Sequence, residues 1–237
     1  MERLFSKEGS ALKIRIKFTK EEPVKFLGHL DIMRFFQRCF NRAGVRMIYS
    51  EGFNPHQKLS FAMPLGLGIT SSGEYLDCYI EDGQDLNEVK DHLNAVSGDG
   101  FRIISVKELS ENAEKAMAAV AFASYDVTVC GEMSPNELQS GVDAFLEKET
   151  YIIHKKTKKK EQDVNIRPLV KELSADGQVM HMVLSAGSED NVKAESVAQA
   201  VFHLMGIDYQ REMITMKRLD LYAESMIPLE DLDTVTS

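Results

Sequence analysis

Between Leu12 and Phe18 apolar and polar residues alternate singly, with Leu12, Ile14, Ile16 and Phe18 set against Lys13, Arg15, Lys17 and Thr19. A period of two predicts a strand with one buried and one solvated face, and the solvated face here is basic. Pro23 ends that strand. From Gly28 to Ala43 the apolar spacing becomes helical, because Ile32, Phe36, Cys39, Phe40 and Ala43 fall on one side at about 100° per residue. Gly44 is the expected stop. Val45–Tyr49 reads as a short strand, 51–58 as a turn-rich loop, Leu59–Met63 as a strand extension, and Glu74–Glu81 as a strand. Asp85 is placed to cap a helix over Leu86, Val89 and Leu93, and Phe101–Val106 makes a closing strand.

The order β-α-β-β-α-β is the ferredoxin-like arrangement. Past a linker or short helix at Glu111–Ala119 a similar series restarts. Tyr125–Cys130 reads as a strand, Ser134 and Pro135 open a helix over Leu138, Val142, Phe145 and Leu146, and Tyr151–Lys155 and Val164–Val170 flank a lysine-rich turn. Val179–Leu184 pairs back, Val192–Met205 is helical, and Ile214–Tyr222 closes the series. The expected fold is therefore α+β, with two ferredoxin-like halves in tandem over residues 1–110 and 120–237, the second carrying an extra strand or hairpin.

Charge changes this picture more than composition does. The chain carries −9 overall, yet Lys13–Lys58 holds ten basic residues against four acidic ones, a net of +6 that leaves −15 on the remainder. An acidic protein does not coat nucleic acid all over, so any polyanion site is local to that segment. Cys39, Cys78 and Cys130 are odd in number, widely spaced and set in apolar patterns, which predicts buried thiols in a reducing compartment. No C-x-x-C pair or cluster-binding run occurs, so neither a metal site nor a cofactor is expected. No apolar run approaches the roughly 18 residues of a membrane span, and Met1–Ser10 is too polar for a signal peptide. The expected location is the cytoplasm.

Four features carry candidate chemistry. At Gly28–Arg34 a helix start offers free N–H groups to an anion, while Asp31 can instead satisfy those groups and pair with Arg34, and His29 falls near the apolar side. Arg34, Arg38 and Arg42 step by four, stacking guanidiniums about 6 Å apart on one helix face, with Arg46 close behind. Such a row suits a run of phosphates, since Arg binds phosphate oxygens bidentately. The loop Tyr49–Lys58 brings Phe53, Asn54, His56 and Lys58 beside Tyr49, a set able to stack unpaired bases and read their edges. Lys155, Lys156, Lys158, Lys159 and Lys160 form a hairpin tip that keeps an edge soluble or clamps a phosphate, with Arg167 on the returning strand. Gly66, Gly68 and Gly73 match no phosphate loop.

The residues Lys25-Phe26-Leu27-Gly28-His29-Leu30-Asp31 with Arg34, Tyr49-Ser50-Glu51-Gly52-Phe53-Asn54-Pro55-His56, Pro64-Leu65, Ser72-Gly73-Glu74-Tyr75-Leu76-Asp77 and Asn165-Ile166-Arg167-Pro168 resemble the radical SAM-linked proteins, a bacterial family of unknown function. The resemblance implies partnership with a radical SAM enzyme and an association with RNA modification or maturation. The chain lacks cluster cysteines and is not itself that enzyme. Its paired layout also looks like the CRISPR repeat-processing endoribonucleases, an analogy of fold alone. Three functions are thus expected in order. The first is a non-catalytic RNA-binding or substrate-presenting partner. The second is a metal-independent nuclease using His29 or His56 with Tyr49, Lys58 or Arg34. The third is a protein-docking adaptor that binds no RNA.

Overall fold

The computed structural model describes residues 11–156 and 161–235. The chain divides into two compact units, one of 1–67, 74–117 and 229–237, the other of 68–73 and 118–228. Both mix helices with mostly antiparallel strands.

In the first unit β1 (Ala11–Lys20), α1 (His29–Arg42), β2 (Leu59–Phe61), β3 (Thr70–Glu81), α2 (Leu86–Ser97) and β4 (Ile103–Glu108) follow one another, and α3 (Ala116–Ala119) begins at its edge. The strand order is β4-β1-β3, with β2 antiparallel to β3. The period-two pattern of β1 sends Ile14, Ile16 and Phe18 into a core shared with Ile32, Phe36, Cys39 and Phe40 of α1. Phe18, Phe36, Phe61 and Phe101 meet there with ring centroids 4.6–6.2 Å apart, the tilted and edge-on spacing that aromatic quadrupoles favour. Asp85 caps α2 as expected, accepting hydrogen bonds from the N–H groups of Asn87 and Glu88.

The second unit runs β5 (Phe122–Val129), α4 (Pro135–Leu146), β6 (Ile152–Lys156), β7 (Glu161–Asn165), β8 (Val170–Asp176), β9 (Val179–Ser185), α5 (Ala194–Leu204) and β10 (Ile214–Tyr222). Its strand order is β10-β5-β9-β8, all antiparallel, with Thr70 and Ser71 of β3 running parallel to β10. The expected extra hairpin is β6 with β7, a separate two-stranded ribbon. Ser134 and Glu137 form a reciprocal capping box that starts α4 at Pro135.

Several boundaries differ from the sequence expectation for identifiable reasons. Val45–Tyr49 makes only isolated bridges, Met47 with Ile80 and Tyr49 with Gln57. β3 starts four residues before Glu74, through serines and a glycine that resemble a turn. Gly73 sits there because a Cβ would lie 2.4 Å from the Leu219 carbonyl oxygen. The expected strand through Val170 is broken by a 3-10 turn at Arg167–Leu169 containing Pro168. β8 escapes the alternation test because a register shift between Val170 and Glu172 sets two polar residues side by side. Cys39 and Cys78 are buried, but Cys130 is exposed, since β5 ends at Val129 and Gly131 turns the chain at φ +98°. Lys158, Lys159 and Lys160 lie outside the described residues.

Candidate nucleic-acid interface

The expected basic face of β1 is covered rather than solvated. Arg15 is 1% exposed. Its Nε and Nη2 donate to Asp77 Oδ1 and Oδ2 at 2.7 and 3.0 Å, while Nη1 donates to the Leu229 carbonyl and Nη2 also to that of Glu114. Asp77 Oδ2 in turn accepts from the N–H of Ala116. Lys17 pairs with Glu230 at 2.9 Å and lies over the Tyr75 ring, and Lys13 donates to the Ala113 carbonyl. Lys20, also buried, donates to the carbonyls of Lys25 and Leu27. The segments 113–116 and 229–235 close over this face, tied by the backbone bonds Ser110 N to Asp233 O and Val235 N to Glu108 O. A strand reading from period two cannot see this, because the covering residues are about 100 and 210 positions away in the chain.

The remaining cations of the segment sit elsewhere. Lys25 pairs with Glu22, and Arg46 with Glu81 at 2.9 Å, so Arg46 stands apart from the arginine row. Arg34, Arg38 and Arg42 are all exposed on α1, as the four-residue spacing predicts. Arg34 has only a loose contact, 3.8 Å, with Asp31. Arg38 and Arg42 have no carboxylate partner among the described residues. Their field reaches Cys39, whose thiol is pushed up by burial and pulled partly back by Arg42 and Arg38.

Asp31 does not cap α1. The N-cap is Gly28, without a side-chain bond, and Asp31 faces Arg34 instead. His29 is not a core histidine either: it opens the helix exposed, its ring edge-on to Phe61 at 5.3 Å.

The loop is fastened to the same helix. Asn41 Oδ1 accepts from Gln57 Nε2 at 2.9 Å and from the Tyr49 hydroxyl at 3.4 Å, and Gln57 Nε2 also donates to the Gln37 carbonyl. Gln57 is 5% exposed, so this amide of the loop is an anchor and not, as the loop's composition suggests, a group offered to a base. The bridge that sets it cross-strand from Tyr49 turns it toward the helix. Within the loop Ser50 Oγ lies 2.8 Å from His56 Nδ1 and accepts from the His56 N–H, closing the turn. These anchors leave Glu51, Gly52, Phe53, Asn54 and Pro55 projecting, with Phe53 fully exposed and Tyr49 half-exposed. Lys58 is exposed at the loop's end. His29 and His56 have separate surroundings, Phe61 for one and Ser50 for the other.

Arg167 belongs to the second unit and holds its own fold together. Its guanidinium donates to the carbonyls of Val170 and Leu146 and lies 5.9 Å from the Phe145 ring centroid. Among the described residues no helix is long and apolar enough to cross a membrane, and no three metal-ligating side chains gather.

The chain is similar in part to solved structures. A chain of a Cbf5-Nop10-Gar1 complex matches at 11% identity over 89% of this chain and 50% of that one, with a TM-score of 0.47. A chain of the archaeal box H/ACA sRNP Nop10-Cbf5 complex matches at 10% identity, over 89% and 49%, with a TM-score of 0.41. An unknown protein from Galdieria sulphuraria matches at 11% identity, over 90% and 99%, with a TM-score of 0.27. This chain spans about half the length of the first two, and at these scores the likenesses carry no argument. No curated protein matches. A family model described as an uncharacterized protein conserved in bacteria, DUF2344, matches residues 13–194, which is most of the chain, and the protein belongs to that family.

Proposed function

We propose that this protein binds RNA through the exposed face of α1 and the Tyr49–Lys58 loop, and presents it to a radical SAM enzyme without catalysing a reaction itself. One observation carries the RNA reading: Arg38 and Arg42 lack carboxylate partners on a helix to which Asn41 fastens a loop bearing a fully exposed Phe53. Like charges four residues apart repel unless an anion lies along them, and an exposed aromatic beside such a row is the pairing that seats a single strand. Phosphates would meet Arg34, Arg38, Arg42 and Lys58. Unpaired bases would meet Phe53 and Tyr49, with Asn54 at their edges. The enzyme partnership rests on the family resemblance. We also read residues 1–110 and 120–237 as two ferredoxin-like halves, a reading supported by the recurrence of one relative strand order, β4-β1-β3 with β2 beside β3 and then β10-β5-β9-β8.

Filter binding of single-stranded RNA across a salt series tests this. Affinity is expected to fall with salt, and Arg38→Ala with Arg42→Ala to reduce the log–log slope by about 1.4, at about 0.7 per phosphate contact. No affinity at low salt, or an unchanged slope, would sink the proposal. An enzyme that co-purifies with the chain in the absence of RNA would favour the docking-adaptor reading instead. The nuclease reading has one supporting geometry, an exposed His56 whose Nδ1 is held by Ser50, leaving Nε2 for proton transfer. Cleavage products persisting in the His29→Ala, His56→Ala double variant would exclude it.

A further inference from the structure

We propose that the site on α1 holds a single strand of about four unpaired nucleotides, laid along the arginine row between two aromatic tips, Phe26 at one end and Phe53 at the other. This inference rests on the RNA reading of α1. It adds a second stacking residue, a footprint and a preference for single strands over duplexes.

Phe26 lies just ahead of α1 and is 71% exposed. A lone exposed apolar side chain is ordinary, so exposure alone decides nothing. What sets Phe26 apart is the backbone that carries it. Lys20, 1% exposed, donates to the carbonyls of Lys25 and Leu27, the residues on either side of Phe26, at 2.9 and 3.2 Å. The 3-10 turn Glu22–Val24, with Pro23 in it, leads into this segment, and the Leu27 N–H donates back to the Val24 carbonyl. A buried ammonium is costly unless its protons find acceptors, so the fold commits built hydrogen bonds to a segment whose ring it leaves in water. The second tip is constructed in the same way. Nearly buried Gln57, with Asn41, fastens the loop on which Phe53 is fully exposed. A ring already held in place needs little further ordering when a base stacks on it.

The helix between the tips sets the spacing. Leu30, Arg34, Arg38 and Arg42 follow one another at four-residue intervals, which puts Leu30, itself exposed, on the arginine stripe at the end next to Phe26. Asn41, in the last turn, ties down the Phe53 loop at the opposite end. From Leu30 to Asn41 the helix rises about 16 Å. Arginines one turn apart stand about 6 Å from each other, so the three match three successive phosphates of an extended strand. Three phosphates join four nucleosides, and the outer two bases then meet the tips. One stacks on Phe26 with Leu30 beside it, the other on Phe53 and Tyr49. Lys25, whose ammonium lies 5.3 Å from the Phe26 ring centroid and pairs with Glu22, adds a positive charge at the first end. Paired bases offer no free faces within a helix, so a duplex gains arginine contacts without the stacks.

Titration of the full chain at low salt with labelled oligouridylates of increasing length, read by fluorescence anisotropy, tests the footprint. Affinity is expected to climb steeply to about four or five nucleotides and then level off. A plateau at two nucleotides, or a steep climb that continues to about ten, would overturn it. Phe26→Ala should weaken binding of the longest oligouridylate about fivefold or more, as Phe53→Ala should, which is the worth of one base stacked on one aromatic ring. Phe26→Trp guards against misfolding as an explanation. The chain has no tryptophan, so the emission of that variant reports on this ring alone, and RNA should quench it while affinity is kept. Duplex RNA of the same length should bind about fivefold or more weakly. Unchanged affinity in Phe26→Ala, unquenched emission in Phe26→Trp, or a duplex that binds as tightly would overturn this inference and leave the RNA reading standing. A wild-type chain with no affinity for any oligouridylate would sink both. Should Phe26→Ala release a co-purifying protein and leave RNA affinity unchanged, Phe26 would belong to a protein-docking surface and the inference would fail.

Discussion

The cations of strand β1 and helix α1 lie within one 46-residue stretch of net positive charge, Lys13–Lys58, and the fold treats them in opposite ways. On β1 every basic side chain from Lys13 to Lys20 is taken up by a carboxylate or a carbonyl of the same unit. On α1 the arginines project, and two of them meet no counter-charge among the described residues. Burying a charge is costly unless it is paired and fully hydrogen-bonded, so a covered cation implies a built set of acceptors. An exposed row needs none and is free to meet an outside partner. A count of lysines and arginines along the chain therefore says little about where a polyanion binds, whereas the presence or absence of internal acceptors says a good deal.

The strongest way to break this contrast is Arg15→Met. The change leaves the Asp77 carboxylate buried without its bidentate partner and releases the carbonyls of Leu229 and Glu114. A loss of about 3–5 kcal/mol is expected, measured by urea unfolding, as for other buried pairs broken on one side. Changing Asp77→Leu as well should recover part of that loss. Wild-type stability in the single variant would mean that Arg15 is hydrated after all, and the contrast with α1 would collapse.

Alternation in Leu12–Phe18 and the 100° spacing of Ile32, Phe36, Cys39 and Phe40 made β1, α1 and their shared core legible, because each pattern is local and repeats. The capping residues Asp85 and Ser134 were legible for the same reason. What could not be read depended on distant residues. The cover over Arg15 comes from Glu114 and Leu229, and the early start of β3 depends on the backbone at Leu219 approaching Gly73. In the candidate site the exposed arginine row and Phe53 followed from spacing and loop composition. The fastening by Gln57 did not, since a glutamine among loop residues looks like any solvated side chain until Asn41 is brought to it.

That fastening gives the next largest effect. Asn41→Ala removes the acceptor shared by Gln57 and Tyr49 and leaves the nearly buried Gln57 amide with the Gln37 carbonyl and a long bond to the Tyr49 hydroxyl. A stability loss of about 1–3 kcal/mol is expected, with faster amide exchange in the loop. Exchange at wild-type rates would show that the Ser50–His56 turn alone holds the loop and that Asn41 does not tie it to the helix.

Glu230, which neutralises Lys17 on the covered face, gives a smaller and pH-dependent effect. Burial pushes its carboxyl up, but hydrogen bonds from Lys17 and Ser105 and the charges of Lys17 and Lys107 outweigh this and hold it below the ordinary range. A lowered folded value means that the stabilisation is present above the unfolded glutamate pKa and is lost as pH falls through the folded one. The melting temperature of wild type should therefore exceed that of Glu230→Gln at neutral pH and converge with it as pH falls below the ordinary glutamate range. A constant gap across that range would show that ionisation of Glu230 contributes nothing.

The smallest expected effect is the sharpest on the other side of the contrast. Arg38→Ala with Arg42→Ala removes two charges from α1 that stand four residues apart with no acceptor to lose. Like charges at that spacing destabilise a helix by about 0.2–0.5 kcal/mol, and alanine is the better helix former, so the double variant should unfold at the same urea concentration as wild type or slightly above it. Adding salt should narrow even that difference, because screening relieves the repulsion that the substitution removes. A loss approaching that of Arg15→Met would mean that these arginines also have internal acceptors, and α1 would then join β1 as a covered element rather than a surface kept open for an anion.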